Sequence, residues 1–323
     1  MATPSDGFLT TTIGVNATDV AEYGLLIADV FNAYAKNPAA TQPPALNNSL
    51  FNALQNNNAV IGYLVAQDAV ASLTGDRQLS PRQACYGALM KLRDMYVIAI
   101  RGTANIREWV IDAECNLVNH PTSGRVEEGF WSVYATMKYV PATQDAALPA
   151  IDALAEVIGT GSVMITGHSL GATIAEYLAF DLTQKLAKNT VTACFFASPR
   201  PGDGAFADAF AQVFQNQGGK YAVINSKADV VPDLPPSANG FSALPVVLGL
   251  EDDTIDPTMT VRDDLLCNHH VVCYAAMLSS GAAQQYASDS GSSATWASLL
   301  QANGDQANCL ASTPDIGDDG RGG

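Results

Sequence analysis

Basic residues are scarce in this chain. Lysine and arginine total 16 of 323 residues against 32 aspartates and glutamates, a formal net charge of −16. Nucleic-acid binding needs basic patches to neutralise phosphate, so that class of partner is excluded. The same balance gives no electrostatic pull toward anionic lipid, so any lipid contact has to come from apolar surface. No apolar run reaches the roughly 18–20 residues of a membrane-spanning helix, and no transmembrane segment is expected. A signal-peptide pattern is also missing, because the first basic residue is Lys36 and no apolar stretch follows a charged start. A mature secreted form, a leaderless export substrate and an intracellular protein all stay open. Histidine is rarer still, with four residues: His120, His168, His269 and His270. The six cysteines, Cys85, Cys115, Cys194, Cys267, Cys273 and Cys309, form no C-x-x-C, and the histidine spacing fits no zinc module. No metal and no organic cofactor is expected. Cys194 lies in an apolar strand-like run and reads as a buried thiol. Cys267 and Cys273 bracket two of the histidines and could pair if the chain bends between them.

What is present is enough apolar residue, 48% of the chain, to bury a full core. We read one α/β domain over 1–323, with its core over about 17–280 and a C-terminal extension over 281–323. Residues 17–36 carry an apolar stripe near period 3.6 and are expected to be helical. Val60–Ala66, Cys85–Leu89 and Met95–Ile100 read as strands. Strands and helices then alternate: a helix over Gln144–Ile158, a strand over Ser162–Thr166, a helix over Leu170–Leu186, a strand over Val191–Ala197, a helix over Ala205–Phe214 and a strand over Tyr221–Asn225. That alternation predicts βαβ units and a mostly parallel central sheet with helices on both faces. Beyond Ser279 the chain is rich in Ser, Gly and Ala, and reads as a weak helix near Trp296–Gln301 followed by a loose tail.

Within this frame, Gly167-His168-Ser169-Leu170-Gly171 stands where the buried strand meets a helix. A bare G-x-S-x-G is a weak signal; the strand before it and the helix after it are the context that makes it a nucleophile turn. Side chains two positions either side of the serine would collide with neighbouring backbone, which accounts for both glycines. The helix N-terminus behind Ser169 offers free N–H groups to developing negative charge. The alternative is a serine capping an ordinary helix.

A serine hydroxyl needs a base, usually histidine, which is in turn oriented by a carboxylate. His120 precedes the serine and His168 sits beside it, which leaves His269 and His270 by elimination. The acid is expected just past a strand and before the histidine. Asp229, following Tyr221–Asn225, fits best, with Asp233 as the nearby competitor.

Four separated segments together resemble the class 3, fungal-type lipases of the α/β-hydrolase superfamily. They are Ala99–Trp109 with its Arg101-Gly102-Thr103, Val126–Tyr134 with its Gly129-Phe130, Thr166–Ala172 together with Ala197–Gly202, and Asp229–Pro236. They span roughly 60–280 in the family's order. The resemblance implies an α/β-hydrolase fold with a short helical lid. It implies that Asp229, rather than Asp233, is the catalytic acid. Thr103 and the backbone N–H of Leu170 are implied to form the oxyanion hole. Ala104–Asp112 takes the lid position, with Ile106, Trp109 and Val110 on its apolar side; the alternative is a plain packed surface helix. The family's histidine precedes a helix carrying a tyrosine, and Tyr274 lies five residues after His269, the spacing many members share. His269 is therefore favoured over His270.

The resulting expectation is a lipase that hydrolyses acylglycerol esters at a lipid–water interface through Ser169, His269 and Asp229. Carboxylesterase, feruloyl esterase and phospholipase A1 activities are alternatives on the same fold. From another class, the alternative is a catalytically dead hydrolase fold that binds lipid or a partner; the presence of serine, acid and histidine argues against it.

Overall fold

The computed structural model describes residues 3–36, 59–67, 83–92, 94–102, 115–143, 146–251, 259–261, 265–289 and 310–312. In chain order its strands are β1 (Ala59–Gln67), β2 (Gln83–Leu92), β3 (Met95–Ile100), β4 (Leu117–Asn119), β5 (Arg125–Glu127), β6 (Lys138–Pro141), β7 (Leu148–Pro149), β8 (Val163–His168), β9 (Val191–Phe196), β10 (Lys220–Ser226), β11 (Val247–Leu250), β12 (Met259–Val261) and β13 (Leu310–Ser312). The helices are α1 (Pro4–Thr12), α2 (Ala17–Lys36), α3 (Glu128–Ala135), α4 (Ala150–Ile158), α5 (Leu170–Lys185), α6 (Gly204–Gln217), α7 (Leu265–His269), α8 (Val271–Leu278) and α9 (Ser280–Asp289).

Nine strands form one sheet in the order β11-β10-β9-β8-β3-β2-β1-β6-β7. From β3 to β11 the pairs are parallel, as the strand–helix alternation requires. On the other side of β3 the pairs β2–β3, β1–β2, β1–β6 and β6–β7 are antiparallel. The parallel half is buried on both faces, and its side chains alternate between two apolar layers. Val97 and Ala99 of β3, Met164 of β8, and Cys194 and Phe196 of β9 face one layer, shared with α2 and α8. Ile98, Ile100, Val163, Ile165, Ala193 and Phe195 face the other, shared with α3, α4, α5 and α6. Burying each large apolar side chain in these layers contributes about 1.5–3 kcal/mol. Cys194 is fully buried, as its sequence context suggested, and its thiol donates to Thr166 Oγ1 at 3.3 Å. Burial pushes the thiols of Cys85 and Cys194 up to about 11 and about 12.

The register sets where the site forms. Ile100 lies opposite Gly167, His168 opposite Phe196, and Phe196 opposite Ile224. The parallel strands therefore end nearly level, and the turns after β3, β8 and β10 leave the sheet along one edge, where functional groups collect in open α/β sheets.

Three expectations are corrected. The helix foreseen over Gln144–Ile158 begins only at Ala150, because Pro149 pairs with Lys138 as part of β7 and then stands at the helix N-cap. After Ser279, where no helix was foreseen before Trp296, Ser280–Asp289 is helix. Its Ala282, Ala283 and Tyr286 are buried, and Tyr286 Oη donates to Asp29 Oδ1 of α2 at 2.6 Å, so tertiary packing overrides weak propensity. The expected helix at Trp296–Gln301 lies outside the described residues. Cys267 and Cys273 do not pair: Cys267 is engaged in a disulfide, whereas Cys273, buried in α8, is not.

Candidate active site

Ser169 terminates β8 and opens α5 with φ 60° and ψ −132°, a left-handed conformation that costs a non-glycine residue of order 1–3 kcal/mol. The surroundings hold it there. Its N–H donates to Phe196 O at 3.0 Å, and its own carbonyl accepts from Ala172 N at 2.8 Å. A side chain at Gly167 would overlap the Gly171 carbonyl, and one at Gly171 would overlap Arg101 O. Only glycine allows the strand, the turn and the helix to approach this closely. The serine makes no side-chain cap bond to α5, so it is not an ordinary helix N-cap. Its Oγ is buried and has no hydrogen-bond partner among the described residues.

Asp229 lies three residues past β10 and is 4% exposed. Its carboxylate takes three donors. His269 Nδ1 and Tyr274 Oη each meet Oδ2 at 2.7 Å, and Val231 N meets Oδ1 at 3.0 Å. Tyr274 also accepts from Ser226 N at 2.9 Å, which ties α8 to the end of β10. Beside this buried carboxylate the Tyr274 hydroxyl is held well above the ordinary phenol range, first by its own burial and then by the Asp229 charge. Asp233, the competitor, is used differently: it is exposed and accepts from Arg200 Nη2 at 2.8 Å. Arg200 also donates through Nη1 to Pro235 O at 2.9 Å, and so clasps the turn that follows Asp229.

The two adjacent histidines separate by geometry. His270 is the N-cap of α8, and its Nδ1 accepts from Val272 N at 3.2 Å, so this ring is spent on the helix start. Burial, with His269 beside it, lowers its pKa to about 4. His269 points Nδ1 at Asp229, and its Nε2 is buried with no hydrogen-bond partner among the described residues. Two partnerless buried polar atoms, Ser169 Oγ and His269 Nε2, thus belong to the two residues that the sequence pairs as nucleophile and base. No direct hydrogen bond joins them in this state. What meets His269 is the residue next to the serine: the His168 ring packs on the His269 ring, with centroids 4.7 Å apart, and His168 Nε2 lies 2.6 Å from His269 O.

Leu170 supplies the first N–H of α5, a group with no acceptor inside the helix. Thr103, Ile106, Trp109 and Val110 lie outside the described residues. The described turn leading to Thr103 is braced by Arg101, which is 2% exposed. Its Nε donates to Cys85 O and its Nη1 to Gly102 O, both at 2.7 Å, and its guanidinium lies over the rings of Tyr34 and Tyr86 at 3.5 and 4.5 Å. Sequence reasoning missed the parts played by Arg101, His168 and Tyr274. The five-residue step from His269 to Tyr274 was the one visible trace, and it gave no hint that the two side chains share a carboxylate oxygen. Among the described residues no cluster of His, Cys, Asp or Glu could hold a metal ion, and no helix is long and apolar enough to cross a membrane.

The profile of the family described as lipase (class 3) matches residues 97–239. A lipase of Rhizomucor miehei is 28% identical over 189 residues, covering 56% of this chain and 49% of that protein. Phospholipase A1-II 7 of Oryza sativa subsp. indica is 32% identical over 216 residues, covering 58% and 51%. The chain thus spans about half the length of these curated relatives. Among solved structures, a triacylglycerol lipase described as having a serine protease triad as its catalytic centre superposes with a TM-score of 0.51 at 20% identity, covering 72% of this chain and 78% of that one. A member of a family of fungal lipases described for an unusual buried polar cluster gives 0.53 at 21% identity, covering 77% and 84%. These likenesses fix the fold as that of the α/β-hydrolases.

Proposed function

We propose that this chain, whose residues 97–239 match the class 3 lipase profile, is a serine lipase of that family cleaving acylglycerol esters at a lipid–water interface. The observation that carries the reading is the strained Ser169 turn, set beside a histidine whose Nδ1 is held 2.7 Å from Asp229, with Ser169 Oγ and the histidine Nε2 both lacking a partner among the described residues.

The proposed roles are as follows, with Thr103 assigned from sequence resemblance alone. Ser169 Oγ attacks the ester carbonyl while His269 Nε2 takes its proton. Asp229 fixes the imidazole tautomer with the proton on Nδ1, and then steadies the imidazolium. The Leu170 N–H and Thr103 receive the oxyanion, each such donor being worth about 3–4 kcal/mol of transition-state stabilisation. His269 returns the proton to the departing alcohol. Water, deprotonated by the same nitrogen, then releases the fatty acid from the acyl-enzyme. Sequence resemblance alone offers Ile106, Trp109 and Val110, which lie outside the described residues, as lid residues, and the proposed catalytic unit is one α/β-hydrolase domain.

A second reading, phospholipase A1, has a specific observation behind it: several rice relatives bearing that name match at 27–32% identity over 55–58% of this chain. One comparison separates the readings. Release of fatty acid is measured on emulsified long-chain triglyceride, on phosphatidylcholine vesicles and on a soluble short-chain ester, alongside labelling by a serine-reactive fluorophosphonate. A lipase is labelled, loses labelling in Ser169→Ala, and is fastest on the emulsion. Activity restricted to the soluble ester overturns the lipase reading, and higher activity on the vesicles replaces it with the phospholipase. An unlabelled wild-type chain overturns both.

A further inference from the structure

His168, the residue before the candidate nucleophile, plays no part in proton transfer as described above, yet its side chain is committed to the base. Its Nε2 lies 2.6 Å from the backbone oxygen of His269. A carbonyl oxygen can only accept, so the hydrogen must be on Nε2 of His168, and this ring is the Nε2–H tautomer. The ring packs on that of His269 at an interplanar angle of 40° and meets Tyr274 edge-on with centroids 6.2 Å apart. Its other nitrogen, Nδ1, faces the turn after β3: a β-carbon built on Gly102 would lie 3.5 Å from it. His168 therefore stands between the end of the β3 strand, the base and the tyrosine that shares the base's carboxylate.

We propose that His168 is a positioning residue that sets the placement of His269 relative to Ser169, a role that rests on the ester-hydrolase reading above. On the side facing Asp229, His269 is held by a side-chain hydrogen bond through Nδ1. That bond alone leaves the ring free to pivot about the Nδ1–carboxylate axis and its backbone free to slide. His168 removes both freedoms. Its N–H pins the backbone carbonyl of His269, and its face blocks rotation of the His269 ring. The pin is one peptide bond away from Ser169, so nucleophile and base share a single rigid reference. A positioning error of about 1 Å costs up to about a hundredfold in rate, which is the scale of effect such a strut controls. The strut also has to stay neutral, because a second imidazolium against His269 would oppose the charge that forms there. Its burial, together with the His269 and His270 rings around it, holds its pKa well below the ordinary histidine range.

The test uses variants that separate reach from shape. In Gln the side-chain amide nitrogen lies the same number of bonds from Cα as His Nε2, so His168→Gln keeps the donor. His168→Asn keeps an amide but falls one atom short, and His168→Phe keeps the flat ring without the donor. Two readouts are taken on the full chain. The first is kcat and KM on a soluble ester. The second is the far-downfield proton resonance of the His269 Nδ1–H···Asp229 bond, which needs no turnover. The expected result is a kcat lowered about tenfold or more in His168→Asn and His168→Phe, with KM within about twofold, and a kcat in His168→Gln within about threefold of wild type. The downfield resonance is expected to persist in wild type and His168→Gln and to broaden or vanish in the other two, with thermal midpoints of all variants close together. The proposal is overturned if Asn and Phe retain both kcat and the resonance, or if Gln loses them as fully as Asn. A wild-type chain that shows the resonance pattern but neither hydrolyses esters nor takes up a fluorophosphonate sinks the functional reading and leaves the positioning result standing.

Discussion

Asp229 illustrates how much of the site depends on one atom. Its Oδ2 accepts from both His269 Nδ1 and Tyr274 Oη at 2.7 Å, so it holds the proposed base and is itself held by a side chain of α8. Replacing it with Asn keeps the size but offers an N–H₂ or a weaker acceptor to Nδ1, and so favours the tautomer with its hydrogen on Nε2. A base in that tautomer cannot take the serine proton. Asp229→Asn is expected to lower kcat by about ten-thousandfold on a soluble ester while leaving the far-ultraviolet circular dichroism unchanged. A loss of less than about tenfold would assign the orienting role to another residue. Asp233→Asn serves as the contrast. Its carboxylate is exposed and bonded to Arg200, and the expected change in kcat is within about twofold.

At the scale of the element, α5 carries both the proposed nucleophile turn and an unusual burden. It is buried nearly all round, and one of its buried residues is Glu176. Glu176 Oε1 accepts from Ser198 Oγ at 2.7 Å, and Oε2 has no partner among the described residues. Burial holds this carboxyl well above the ordinary glutamate range, the Ser198 bond offsetting only part of the effect. The folded chain therefore binds the Glu176 proton more tightly than the unfolded chain does. The favourable term is complete below the unfolded value of 4.5 and is lost as pH rises toward the folded one. Glu176→Gln removes the titration. Its thermal midpoint is expected to exceed that of wild type at pH 8, with the difference shrinking as pH falls toward 4. A difference that stays constant with pH would show that Glu176 is not the group responsible.

The same helix shows what was legible in the sequence. The apolar run before Ser169 and the periodicity after it located β8 and α5 to within a residue or two, because both elements are buried and their patterns are undiluted. Asp229 was readable because a strand leads into it, and the fold brings strand ends to one edge. The choice between His269 and His270 rested in the sequence only on the family's five-residue step to Tyr274, with no physical reason attached. It turns on which ring caps α8, a matter of one backbone dihedral that no composition encodes. Tyr274, Arg101 and His168 act through contacts across 45, 16 and 101 positions of chain. A periodic pattern reports which face a residue occupies, whereas these contacts depend on what the opposite element presents. The helix at Ser280–Asp289 was missed for the same reason: its small residues gain their order from α2, not from themselves.

For the molecule as a whole, the net charge of −16 governs how the proposed substrate is met. Approach to a negatively charged interface is opposed at long range, and salt shortens that range from about 30 Å at 0.01 M to about 8 Å at 0.15 M. Initial rates on an emulsion coated with an anionic surfactant are therefore expected to rise with salt across this interval. Rates on the same oil coated with a zwitterionic lipid should change little. Equal salt responses on both coatings would indicate that a local apolar surface, rather than overall charge, decides adsorption.

The buried cysteines have a consequence for following the protein over time. Cys85 on β2 and Cys194 on β9, separated in the sheet by β3 and β8, have thiols pushed up to about 11 and about 12, so at neutral pH they are almost wholly unreactive while the core is closed. Both face the layer covered by α2 and α8, so an alkylating reagent can reach them only when that layer opens from the sheet. Their rates of modification therefore form an internal clock for opening of the core, read by mass spectrometry at two known positions, with no substrate and no engineered probe.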